Sequence, residues 1–177
     1  MKKLCISFLL IGIITLIAIV GVNNSNNYVE YLRIHIRANS NSEIDQSVKY
    51  QVKSLAVEYL TPFIAECDTK EQATKILTQN KEILQNKIDL LLHQQGFNYT
   101  SNIAIRNEKF PTRVYEDFTL EEGFYDAVVI ELGKAEGDNW WCVVYPPLCF
   151  LGNESSVVYK SKILQIIQNF KSKQGAF

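Results

Sequence analysis

The sequence predicts an α+β domain: a mostly antiparallel sheet with two long helices packed on one face, plus a C-terminal helix, preceded by an N-terminal hydrophobic helix. Three observations predict it. Residues 30–38 alternate strictly between apolar and polar types, the pattern of a strand with one buried face. Two segments of helical period follow, over about 43–63 and 70–95. Alternation then returns and continues to residue 145. Strands grouped beyond adjacent helices indicate α+β rather than a repeating strand–helix unit.

In the first strand Leu32, Ile34 and Ile36 face one way, and Arg33, His35 and Arg37 the other. Asn39-Ser40-Asn41-Ser42 breaks it, and Ser40 or Ser42 can cap the first helix with Glu43 or Asp45 in the capping-box position. Ile44, Val48, Val52, Leu55, Ala56, Tyr59 and Leu60 form that helix's apolar stripe, which ends near Pro62. Thr69 with Gln72 opens the second helix, and Gly96 suits its C-terminal cap. Strands are then expected around Phe97–Ile105, over Thr112–Phe118, and over Phe124–Leu132. Gly137-Asp138-Asn139 reads as a turn that makes 124–132 and 140–145 antiparallel neighbours. Ile163, Ile166, Ile167 and Phe170 share one face of a last helix, Tyr159–Lys171.

Apolar content of 47% and charged content of 21% exclude a disordered chain. Met1-Lys2-Lys3 precedes an uncharged run, Leu4–Val22, which reads as a signal peptide or signal-anchor transmembrane helix over 1–22. No pair of small residues offers a good cleavage site, which favours an uncut anchor. The two lysines before the run favour export of the rest of the chain. Residues 23–29 read as a linker and 30–177 as a single extracytoplasmic domain. Beyond residue 22 the chain carries 16 basic and 19 acidic residues, with no clustered basic face for nucleic acid.

No phosphate loop, no Gly-x-Ser-x-Gly and no metal-ligand spacing is present, so neither a cofactor, a metal nor a small-molecule substrate is expected. His35, flanked by Arg33 and Arg37, is the obvious candidate base. Paired with Cys67, Cys142 or Cys149 it would make an exported thiol-dependent hydrolase; as a satisfied strand histidine it would do no chemistry. Cys142 and Cys149 close a loop of about eight residues around Pro146-Pro147. A disulfide there would contribute roughly 2–3 kcal/mol; two buried free thiols are the alternative. Trp140 and Trp141, adjacent in a strand, point to opposite faces, so one enters the core. The outward indole beside a rigid Pro146-Pro147 loop suits a binding hot spot, unless the same domain covers it.

Two stretches resemble the stage II sporulation protein R family: Arg33-Ile34-His35-Ile36-Arg37-Ala38-Asn39-Ser40-Asn41-Ser42-Glu43-Ile44-Asp45-Gln46 and Asn139-Trp140-Trp141-Cys142-Val143-Val144-Tyr145-Pro146-Pro147-Leu148-Cys149. Phe110-Pro111-Thr112-Arg113 and Gly123-Phe124-Tyr125-Asp126-Ala127 fit between them. The resemblance implies a signalling protein of endospore formation, exported from the forespore into the space between it and the mother cell. It would there activate a membrane-embedded aspartic protease of the mother cell, which processes the precursor of sigma factor E. The chain would then be a protease activator and not itself an enzyme. Its partner-binding surface would be Arg33, His35, Arg37, Asn39 and Ser40 together with Trp140, Trp141, Pro146 and Pro147.

Overall fold

The computed structural model describes residues 31–115, 118–152 and 158–173. The expected hydrophobic leader and the linker lie outside these residues. The elements run β1 (Leu32–Arg37), α1 (Glu43–Ile64), α2 (Lys70–Gln94), β2 (Ser101–Phe110), β3 (Arg113–Tyr115), β4 (Phe118–Leu120), β5 (Gly123–Leu132), β6 (Asn139–Tyr145), a 3-10 turn (Leu148–Phe150) and α3 (Lys160–Lys173). This is an α+β fold with a mixed sheet. No helix among the described residues is long and apolar enough to cross a membrane.

The main sheet has the order β2-β5-β1-β6. β1 pairs in parallel with β5 and antiparallel with β6, and β2 pairs antiparallel with β5. The expected hairpin between 124–132 and 140–145 is therefore absent, because β1 lies between them. The intervening residues 133–138 instead cross the end of β1 and bond to it: the amides of Gly137 and Glu136 donate to the carbonyls of Ala38 and Asn39, at 2.9 and 3.2 Å. A crossing of two strand spacings, about 10 Å, is well within reach of six residues. Gly137 is required there, since a Cβ would clash with the Ser40 carbonyl oxygen. The expected strand over 112–118 is likewise split into β3 and β4, which form a separate two-stranded ribbon.

Ser42 caps α1 by accepting from the Asp45 amide at 3.2 Å, and Thr69 caps α2 from the Gln72 amide at 3.2 Å. At the other end of α2, Gly96 adopts φ +84°. Its amide bonds the His93 carbonyl and that of Phe97 bonds the Leu92 carbonyl, the two bonds of a Schellman cap. Val48, Val52, Ala56 and Leu60 of α1 pack with Leu77, Leu84, Ile88 and Leu92 of α2 over Leu32, Ile34 and Ile36 of β1. Ile163 and Phe170 of α3 join the same core. Ile44, placed in the apolar stripe by its spacing, is exposed, whereas Asp45 and Lys49 are buried.

Flanked by a strand on each side, β1 is covered on both faces. Arg33 is 0% and His35 2% exposed, so the polar side of this strand is not the solvated face its alternation implied.

Candidate functional site

The sheet face opposite the helices brings Arg33 and His35 of β1 beside Ala127 and Val129 of β5, and Trp141 beside His35 across the β1–β6 ladder. Phe110, at the end of β2, completes a small apolar cluster with Ala127 and Val129, against which Tyr125 and Trp141 pack. Trp140 points the other way, into the helix-side core. The two indoles thus lie on opposite faces, each half-buried, as adjacent strand residues must.

Arg33 lies in an aromatic cage. Its Cζ is 4.1 Å from the Phe110 ring centroid, 4.9 Å from Tyr125 and 5.7 Å from Tyr115. Nη2 donates to the Tyr115 hydroxyl at 2.6 Å. Burial lowers the Arg33 pKa and Arg113 lowers it further, against Tyr115 and Tyr125. Arg113, on β3, places its guanidinium 4.3 Å over the Trp141 ring. His35 stacks on the other neighbour of this group: its ring is 5.3 Å from that of Trp141 and 5.7 Å from that of Phe110.

Above His35 is a layer of paired charges. Arg37 bridges Glu108 and Glu131, and Arg106 does the same from β2. His35 Nδ1 is 3.4 Å from Glu108 Oε1, an ion-pair separation without hydrogen-bond geometry. Burial pushes the imidazole pKa down and Arg37 adds to this, while Asn139 and Glu108 oppose. Neutral imidazole is the form the fold favours.

Six buried side-chain nitrogen or oxygen atoms among the described residues lack a hydrogen-bond partner: Arg33 Nε and Nη1, both ring nitrogens of His35, Asn139 Oδ1 and Trp141 Nε1. All belong to this one face of β1 and β6. Buried polar groups are otherwise almost always paired.

Asn39 and Ser40 sit at the end of β1, and their polar atoms hold the fold together. Buried Asp45 accepts from Asn39 Nδ2 at 2.9 Å, Ser40 Oγ at 2.5 Å and Tyr99 Oη at 2.6 Å. Burial works to raise the Asp45 pKa, but the hydrogen bonds from Ser40, Tyr99, Asn39 and Ser42 outweigh it and hold the carboxyl low. Asn39 Oδ1 also accepts the Lys134 amide at 2.9 Å. Pro146 and Pro147 are both buried. The rings do not form the exposed rigid loop expected of them; they lead the chain from β6 into the 3-10 turn.

Cys142 and Cys149 form a disulfide, with Cα atoms 5.9 Å apart. Cys67 is the free cysteine among the described residues, wholly buried in the helix-side core on the other side of the sheet from His35. Burial pushes its thiol up to about 11. Among the described residues no thiolate therefore meets His35, and the hydrolase reading lacks the nucleophile it needs from Cys67, Cys142 or Cys149. No group of three or more His, Cys, Asp or Glu side chains among the described residues is placed to hold a metal ion.

Phe110, Arg113, Tyr115, Tyr125 and Glu108 belong to this site and were not assigned to it from sequence. For Phe110, Arg113 and Tyr125 the signal was present in the family-like segments Phe110–Arg113 and Gly123–Ala127, but placing them over Arg33 requires the strand register; Glu108 and Tyr115 lie outside those segments.

The family model of stage II sporulation protein R matches residues 28–155, which contain every element of the site. A curated relative from Bacillus subtilis (strain 168), named stage II sporulation protein R, is 30% identical over 120 residues, 68% of this chain and 54% of its own length. The chain thus spans about half the length of that relative. No solved structure matches. The chain belongs to the stage II sporulation protein R family.

Proposed function

We propose that this chain is a signalling protein exported from the forespore, which activates a membrane-embedded aspartic protease of the mother cell and so leads to processing of the sigma factor E precursor. Residues 4–22 serve as its export signal or membrane anchor. The observation that carries this reading is the family match over residues 28–155, which includes both the Arg33–Gln46 and the Asn139–Cys149 segments. A protein that works by contact needs a surface of binding side chains rather than a reactive group. Trp141, Arg113 and the paired charges around Glu108 offer such a surface on the sheet face away from the helices.

The reading is tested by copurification of the full chain with the detergent-solubilised protease. The wild-type chain is expected to coelute with it. Trp141→Ala and Arg113→Ala, both at half-exposed or exposed positions, are expected to weaken retention at least tenfold, the scale of a hot-spot truncation. A wild-type chain that never coelutes refutes the contact.

A further inference from the structure

We propose that the cluster of Arg33, Arg113 and Trp141 is a docking site for an acidic side chain of the partner protein. The inference rests on the proposed signalling function and specifies the chemistry of its contact.

Four observations carry it. Arg33 is 0% exposed yet faces no carboxylate among the described residues: its one polar partner there is the neutral Tyr115 hydroxyl, and Nε and Nη1 have no hydrogen-bond partner. A buried cation without a counter-ion is costly, and proteins normally pair it. A second guanidinium, Arg113, lies close enough to oppose its charge. Among the described residues, Glu108 and Glu131 of this face are committed to Arg37 and Arg106. Finally, the orphaned atoms here are mostly donors, Arg33 Nε and Nη1 and Trp141 Nε1. Donors on one sheet face, with two positive charges and no acid among the described residues paired to Arg33, complement a carboxylate.

Access passes through β3. Arg113 and Tyr115 cover Arg33 from this strand, which belongs to a ribbon of two three-residue strands outside the main sheet. So short a ribbon is held by little pairing of its own, and its displacement costs less than opening the sheet. An incoming Asp or Glu exchanges the Tyr115 hydroxyl for a bidentate ion pair with Arg33 and gains Arg113 at the rim.

The test uses the full chain carrying Trp140→Phe, so that Trp141 is the sole emitting indole. It is titrated with a hexapeptide of glutamate and, separately, with the matching glutamine peptide. The glutamate peptide is expected to change Trp141 emission saturably, and the glutamine peptide is not. Arg33→Met on this background is expected to weaken the response at least tenfold while melting no lower than its parent, since an uncompensated buried charge has been removed. Arg113→Gln, at an exposed position, gives a second variant with the same expected loss. An equal response to both peptides, or an undiminished response in Arg33→Met, overturns the proposal. Precursor cleavage separates it from the signalling function. If the wild-type chain supports cleavage and Arg33→Met supports it equally, the docking site is wrong and the function stands. If the glutamate response holds and the wild-type chain supports no cleavage, the function is wrong and the site stands.

Discussion

Arg33 and His35 alternate with Leu32, Ile34 and Ile36, and that alternation gives the faces of β1 correctly while misjudging which are covered. Solvation of the polar side is the ordinary outcome for a strand. Here Phe110, Tyr125 and Trp141 supply a second, aromatic layer, which no period within β1 reveals. The consequence for His35 is measurable. Its folded pKa lies below the unfolded value, so the unfolded chain binds the proton more readily. Its contribution to stability is whole above about pH 6.5 and is lost as pH falls from there toward the lower folded pKa. His35→Phe, which keeps a ring against Trp141 and Phe110, is expected to flatten stability against pH in that window; an unchanged slope in urea titrations at several pH values would contradict the assignment. Asp45 was legible only as a capping-box residue. It is in fact a buried acceptor for Asn39, Ser40 and Tyr99, groups that are close only after β1, α1 and the segment before β2 have assembled. Asp45→Asn is expected to cost about 2–3 kcal/mol at pH 7, as charged hydrogen bonds are weakened. Because the Asp45 pKa is depressed, its contribution is present above about pH 3.9 and is lost as pH falls through the lower folded value, so the mutant should converge on the wild type in acid.

The elements themselves were readable wherever the signal is local. The helices start at Ser42 and Thr69 and the second stops at Gly96, because caps and periodicity depend on neighbours in sequence. Strand order was not, because pairing partners are set by the tertiary fold. The Gly137-Asp138-Asn139 turn suggested a hairpin, yet its glycine serves a close backbone approach to Ser40 as the chain crosses the end of β1. The same segment takes up Asn39 and Asn41, whose Oδ1 atoms accept the amides of Lys134 and Asp138 at 2.9 and 2.6 Å. The Asn39–Ser42 stretch is therefore a joint between β1, α1 and the β5–β6 connection. Gly137→Ala forces that joint apart and is expected to cost about 2 kcal/mol, lowering Tm by roughly 4–8 °C in a domain of this size. A melt within one degree of the wild type would show that the crossing tolerates a side chain.

At the scale of the molecule, one sheet divides two kinds of interior. The helix side is a conventional apolar core. The opposite side combines aromatic rings, two arginines, a histidine and a paired charge layer. The family was legible in the sequence because the Asn139–Cys149 segment is an unusual string of residues in itself. The site was legible in part: Arg33, His35 and Trp141 converge on it, whereas Asn39 and Ser40 act in the joint and Pro146 and Pro147 are buried. Contact through that second face is the means by which we propose that this chain activates the mother-cell protease. Producing the full chain, the membrane-embedded protease and the sigma factor E precursor together, and following precursor cleavage by immunoblot, puts this to the test. Cleavage is expected with the wild-type chain, with a loss of at least tenfold for Trp141→Ala or Arg113→Ala chains that melt like the wild type. No cleavage above the level without the chain, with all three proteins folded and correctly located, would contradict the proposed activation.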